Sequence, residues 1–111
     1  MLFTVPADTR VFLRIGVTDL RLSFEGLRLL AINVIKEEAT SGALFVFCNR
    51  ARNRARCLFW DGSGLWVATK RLETGTFDWP KGSGAAPISP KSLQLLLEGF
   101  ELRTRKGWYR R

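Results

Sequence analysis

The stretch 44–80, LFVFCNRARNRARCLFWDGSGLWVATKRLETGTFDWP, constrains the fold more than any other part of the chain. Apolar runs at 44–47, 57–60 and 65–69 are rich in aromatic and β-branched side chains, which pack well on a pleated surface. Polar segments separate the runs, and Asp61-Gly62-Ser63-Gly64 is a clear turn signal. Runs of this kind joined by short turns predict an antiparallel β-meander. Arg50, Arg52, Arg54 and Arg56 lie in or beside the first turn, so they are expected to project from one end of a small sheet. If the alternating turn residues splay, the four share one side. Lys70 and Arg71, near the end of the third run, are expected to extend that surface.

A sheet this small needs cover. Leu20, Phe24, Leu27, Ala31, Val34 and Ile35 recur at intervals of three and four, the spacing of one helical face, and predict a helix from about 23 to 38. Thr18, Asp19 and Ser23 before it are residue types that cap helix N-termini. Leu29, Leu30 and Ile32 widen the apolar arc, which is expected to be buried rather than to form a subunit contact. Ahead of this helix, the segment 10–15 reads as an extended strand joining the sheet edge or as a covering segment. Phe77, Trp79 and Pro80 either pair with the sheet or pack beneath it, and 81–87 is expected to be a flexible loop because of its glycine and serine. Ser89-Pro90 starts a second helix, with serine as cap and proline at the first helical position, where its missing N–H costs nothing. Leu93, Leu96, Leu97 and Phe100 form its apolar face and Gly99 sits near its end. The expectation is one α+β domain over residues 1–102: a small antiparallel meander covered by a helix from the N-terminal half and a C-terminal helix. A basic tail, 103–111, follows and is expected to be mobile when free.

Composition narrows the function. A hydrophobic content of 46% in 111 residues suffices for one packed core. Eighteen Lys and Arg against 10 Asp and Glu give a net charge of +8, which favours polyanionic partners such as nucleic acid. No stretch approaches the roughly 18 apolar residues of a membrane span, and the N-terminus lacks the pattern of a secretory signal. The reading is a cytoplasmic protein with no membrane contact. Cys48 and Cys57 can face each other across a hairpin centred near Arg52 and Asn53, and a reducing cytoplasm favours two free thiols over a disulfide.

With no histidine in the chain, neither a Ser-His-Asp nor a Cys-His arrangement can be built, and an ordinary structural zinc site lacks ligands. Asp19, Glu25, Asp61, Glu73 and Asp78 are scattered, whereas a metal-dependent nuclease clusters its carboxylates. Asp61 is explained by its turn and Asp19 by helix capping. Gly62-Ser63-Gly64 lacks the lysine and spacing of a phosphate-gripping loop. The chain is therefore read as non-catalytic, with no cofactor and no metal.

Nucleic-acid binding fits the residues present. Arginine forks pair bidentately with phosphate oxygens, and a hairpin carrying several can follow a backbone or enter a groove. Arg50, Arg52, Arg54, Arg56, Lys70 and Arg71 are the candidates, with Arg103, Arg105 and Lys106 of the tail as a second contact beside Trp108. A different reading is a protein-interaction module in which exposed members of the set Trp60, Trp66, Phe77 and Trp79 serve as anchors; otherwise these aromatics are core.

An ordered set of short segments also carries a resemblance. These are Phe12-Leu13-Arg14 to Gly16, Thr18-Asp19-Leu20-Arg21, Phe24-Glu25-Gly26-Leu27, Ser41-Gly42 with Leu44-Phe45-Val46-Phe47, Trp60-Asp61-Gly62 to Gly64, Lys70-Arg71-Leu72-Glu73 to Gly75, Trp79-Pro80, and Leu96-Leu97-Glu98-Gly99. Over about residues 5 to 100 the chain resembles the TnpB-type accessory protein from the second reading frame of the insertion-sequence-66 family of bacterial mobile elements. The resemblance implies a role in transposition beside a separate transposase that cuts and joins DNA, so the implied partners are DNA at the element ends and that transposase. Three positions depart from the family pattern. Arg21-Leu22-Ser23 replaces Arg-Lys-Gly, Cys48 stands in place of an arginine, and Cys57 in place of a large aliphatic residue.

Overall fold

The structure, a computed structural model, describes residues 5–99. In chain order its elements are β1 (Val11–Arg14), α1 (Phe24–Leu30), β2 (Leu44–Cys48), β3 (Arg54–Trp60), β4 (Leu65–Arg71), β5 (Ala85–Ile88) and α2 (Pro90–Leu97). β2, β3 and β4 form the expected antiparallel meander. The N-terminal segment takes the first of its two possible roles: β1 pairs parallel to β2, with Val11 opposite Leu44. A parallel pair needs a long crossover, and the segment containing α1 provides it. The sheet order is β4-β3-β2-β1-β5, and the fold is α+β.

β5 corrects the expectation of a flexible loop over 81–87. Residues 85–88 pair antiparallel with β1, Pro87 opposite Phe12 and Ala86 opposite Leu13. Proline donates no ladder bond, which an edge strand tolerates, and the pairing covers what would otherwise be an open edge of β1.

Alternating side chains divide the core between two faces. Phe45, Phe47 and Leu58 point toward the first helix and pack with Leu27, Ala31, Ile35, Ala39 and Ala43. Val11, Leu13, Leu44, Val46, Cys48, Ala55, Cys57 and Ile88 point the other way, against Leu93, Leu96 and Leu97 of α2 and against Phe77 and Trp79. β2 is buried at every residue, which is why it reads as an unbroken apolar run rather than an alternating one.

The first helix is shorter than its periodicity suggested. α1 passes into a π-helical turn, Ala31–Ile35, and stops at Lys36, which takes a left-handed φ of 69°. The wider turn offsets the drift that four-residue steps accumulate on a helix of about 3.6 residues per turn, so Leu27, Ala31 and Ile35 stay on one buried line. The outer part of the arc is not buried: Phe24 and Leu29 are 51% and 47% exposed. Capping also differs. Ser23 is the N-cap but its side chain makes no capping bond, and Asp19 accepts from the backbone and guanidinium of Arg21 instead. At α2 the expected cap forms, Ser89 Oγ accepting from the Ser92 N–H at 3.1 Å with Pro90 at the first helical position.

Segment 72–84 wraps the end of the sheet where the β2–β3 turn lies. Leu72 N–H donates to the Asn53 carbonyl (2.8 Å) and Phe77 N–H to that of Arg52 (2.6 Å). The buried Trp79 donates its indole N–H to the Arg14 carbonyl at 2.9 Å. Gly16 N–H reaches the Pro80 carbonyl (3.0 Å) and Ile15 N–H that of Gly84 (2.9 Å). The strap thus ties the hairpin turn to the end of β1.

The hairpin register corrects the cysteine geometry. Cys48 pairs with Ala55 and Cys57 with Val46, so the two residues are diagonal neighbours, a placement whose backbone separation of about 7–8 Å does not suit a disulfide. Both are free and buried, and burial pushes each thiol up to about 12.

Two outcomes follow from this packing. A thiol reagent at pH 8 is expected to label neither cysteine in the native protein and both in urea. Because the thiols are held neutral, their contribution to stability is complete below about pH 9 and falls as pH rises toward 12. Gly16 and Gly42 both have positive φ, 85° and 91°, but an added Cβ meets the Gly82 carbonyl oxygen at 2.3 Å only at Gly16. Denaturant unfolding should show Gly42→Ala costing about 1–2 kcal/mol and Gly16→Ala roughly 1–3 kcal/mol more.

Candidate nucleic-acid interface

Asn49 builds the turn that carries the first arginines. Its backbone N–H donates to the Arg54 carbonyl and its carbonyl accepts from the Arg52 N–H, each at 3.1 Å. Its Oδ1 accepts from the backbone N–H groups of Asn53 (3.1 Å) and Arg54 (3.0 Å), and its Nδ2 donates to Asn53 Oδ1 (2.9 Å). The turn closes with Arg52 in a left-handed conformation, φ 59°.

On the facing side, Thr18 N–H donates to the Cys48 carbonyl at 2.8 Å, holding loop 16–20 beside the turn. Arg14 secures that loop from beneath, Nη1 donating to the Val17 carbonyl and to Thr18 Oγ1. Together with the strap, these ties leave a recess of about 310 Å³ lined by Arg50, Arg52 and Lys81 with Gly16, Val17 and Gly82 among its walls. A second, shallow recess of about 490 Å³ shares Val17, Asn49 and Arg50 and is bounded by Asp19 and Arg21. In that pair the Arg21 guanidinium, with its backbone N–H, holds the Asp19 carboxyl down at about 2.

The six expected hairpin and strand cations do not form one row. Arg50 and Arg52 flank the recess. Arg54 lies opposite Arg71 on the α1 face of the sheet, and both are exposed. Lys70 lies opposite Ala55 and so projects from the α2 face. Arg56 turns inward: its Nε donates to Thr69 Oγ1 (3.0 Å) and its Nη1 to the carbonyls of Leu20 and Leu22. Arg103, Arg105 and Lys106 lie outside the described residues. Lys81 is a cation at the recess that the sequence does not single out, because the glycine and serine after it read as a loop; the preceding Trp79-Pro80, once pinned, fixes where it emerges.

The electrostatics of this end are one-sided. Among the described residues the ion pairs join Arg10 with Glu37, Arg21 with Asp19, Arg28 with Glu25 and Arg71 with Glu73. None takes Arg50, Arg52, Arg54, Lys70 or Lys81. Like charges directly opposite across strands are destabilising, yet Arg54 faces Arg71 with only Glu73, 3.5 Å from Arg71, to offset them. Among the described residues no three Cys, Asp or Glu side chains cluster to hold a metal ion, and no helix is long and apolar enough to cross a membrane.

The two arginines that β3 places on the α1 face are expected to separate in unfolding experiments. Arg56→Ala leaves the Leu20 and Leu22 carbonyls without their charged donor and should cost about 2–3 kcal/mol. Arg54→Ala, on an exposed position, should stay within about 0.5 kcal/mol of the parent.

A family model described as "IS66 Orf2 like protein" matches residues 9–107. The chain is 39% identical over 97 residues to the uncharacterized protein y4hO of Sinorhizobium fredii, covering 86% of this chain and 84% of that one. It is 34% identical over 93 residues to the uncharacterized protein y4jC of the same organism, covering 83% and 80%. No solved structure matches the chain. With most of its length inside the family match, the chain belongs to the IS66 Orf2-like family, and its role is that of an accessory protein in insertion-sequence transposition.

Proposed function

We propose that the protein is a non-catalytic accessory factor that binds DNA at the ends of its element through the turn end of the sheet. The observation that carries this reading is the recess at that end, where Arg50, Arg52 and Lys81 converge without an ion-pair partner among the described residues. Arg54, Arg71 and Lys70, at the same end of β3 and β4, widen the positive surface over both faces of the sheet. Guanidinium groups held open in this way suit phosphate oxygens, which accept two parallel N–H bonds from one fork. The opposed Arg54 and Arg71 support the same reading, since a polyanion between them converts a repulsion into two attractions. The lack of histidine leaves proton transfer to carboxylates or lysine, and Asp19, Glu25, Glu37, Asp61 and Glu73 are engaged in turns and surface pairs.

Salt-titrated binding of the purified protein to element-end DNA and to unrelated DNA, with and without the transposase, tests this. Affinity should fall linearly on a log–log plot against salt, by about 0.9 in slope for each duplex phosphate contacted. The Arg50→Ala, Arg52→Ala, Lys81→Ala triple variant should lose about 2–3 units of that slope, while Lys91→Ala, at the far helix, should keep it. Absence of binding to either DNA under all these conditions would sink the reading.

A further inference from the structure

One aromatic side chain stands apart from the core that absorbs Phe77 and Trp79. Trp66 is 55% exposed, on the outermost strand of the sheet. It lies opposite Phe59, and the two rings run nearly parallel, 7° between planes with centroids 6.2 Å apart. Its indole N–H donates to Asp61 Oδ2 at 2.7 Å. Asp61 is itself held by the turn, its Oδ1 accepting from the N–H groups of Ser63 and Gly64, both at 2.9 Å, and from Ser63 Oγ. An exposed tryptophan that merely caps a strand needs no such double restraint. Here the ring is stacked on one side and hydrogen-bonded at its edge, so little freedom is left to lose when a ligand lands on it.

The surroundings say what that ligand is. Residues 66, 68 and 70 of β4 share the α2 face, and all three are exposed. The row therefore reads Trp66, Ala68, Lys70: an aromatic plane, a small residue that leaves the surface open, and a cation about 13 Å along the strand. Beyond Lys70 the strand runs into the turn end with Arg54 and Arg71. The acid beside Trp66, Asp61, has its carboxylate engaged by the indole and by its own turn. A flat π surface in line with cations fits an unpaired base whose backbone phosphates run toward the positive end, whereas a duplex keeps its base faces stacked and inaccessible.

Resting on the DNA-binding reading above, we propose that Trp66 is a stacking platform for a base of single-stranded DNA, whose backbone follows β4 past Lys70 to the turn end of the sheet. This gives the protein a preference for an unpaired strand that the arginine surface alone does not supply.

The test is fluorescence anisotropy with a labelled ten-nucleotide oligo-dT and a duplex of equal length, across a salt series, on the full chain. Trp66→Ala should weaken single-strand binding roughly tenfold or more and leave duplex binding within about twofold. The salt slope should be unchanged, since stacking releases no counterions. Trp66→Phe should retain most of the affinity, because an aromatic face remains. Ala68→Glu keeps the core intact, judged by its unfolding midpoint, and should also cost roughly tenfold on the single strand by placing an acid in the path. Single-strand affinity unchanged in folded Trp66→Ala and Ala68→Glu, with duplex binding still dependent on the recess cations, would overturn the platform and leave the DNA reading standing. Equal losses on both DNA forms would overturn it as well. A parent protein that binds neither DNA would overturn both.

Discussion

The tie between segment 72–84 and the end of the sheet is the constraint on which the candidate site depends. Trp79 anchors it, its ring buried against α2 and its indole N–H on the Arg14 carbonyl. Burying an indole without a partner for its N–H is costly, so the bond and the burial come as one event. Once Trp79 is seated, the Phe77 amide meets the Arg52 carbonyl on one side and the Pro80 carbonyl meets Gly16 on the other. The arginine turn, the loop after β1 and the lysine at 81 are then held in a fixed relation. Without the strap these are three separate surface loops.

The positive surface is organised by diverting one arginine and leaving the others open. Arg56 spends its Nε and Nη1 protons on Thr69 and on the carbonyls of Leu20 and Leu22, holding the approach to α1 against the outer strands. Its role is that of a structural clamp. Arg54, two residues away on the same face, is exposed and opposed by Arg71. Adjacent members of one cluster therefore serve different ends: one stabilises the fold, while the other carries a repulsion that the fold tolerates. A local cost of this kind, at an end of the sheet where Arg50, Arg52, Arg54, Lys70 and Lys81 join none of the ion pairs among the described residues, is where function is expected to lie.

Two edges of the sheet are treated differently. β5 carries Pro87 and closes the β1 side. Among the described residues no strand pairs with the outer side of the seven-residue β4, which carries Lys70 and Arg71 near its end. Charged residues on an exposed edge discourage pairing with other chains, and here one of them, Lys70, lies in line with the restrained Trp66 ring. Protection from aggregation and attraction of a polyanion are compatible uses of one strand.

Much of this architecture was legible in the residues. The aromatic and β-branched runs and turn residues of 44–80 specified the meander, the three- and four-residue spacing specified a covering helix, and Ser89-Pro90 specified the start of α2. The ordered short motifs pointed to the family that the full-length match establishes. Local chemistry sufficed for these because each depends on side chains close in the chain. Legibility stopped where a residue's role depended on a distant partner. Nothing local shows that 85–88 pairs with β1, since the glycine and serine just before it signal a loop. Register was equally hidden. Asn49 closes the turn so that Cys48 meets Ala55, and that pairing sends the cysteines to diagonal positions. It also sets Arg54 and Arg56 toward α1, and Lys70 and Trp66 toward the opposite face. The sequence by itself determined which cations and aromatics were available. Only the tertiary structure decided which were consumed by the fold, as with Arg56 and Trp79, and which were left facing solvent, as with Arg50, Lys81 and Trp66, because the facing of a strand residue follows from pairing made across the chain.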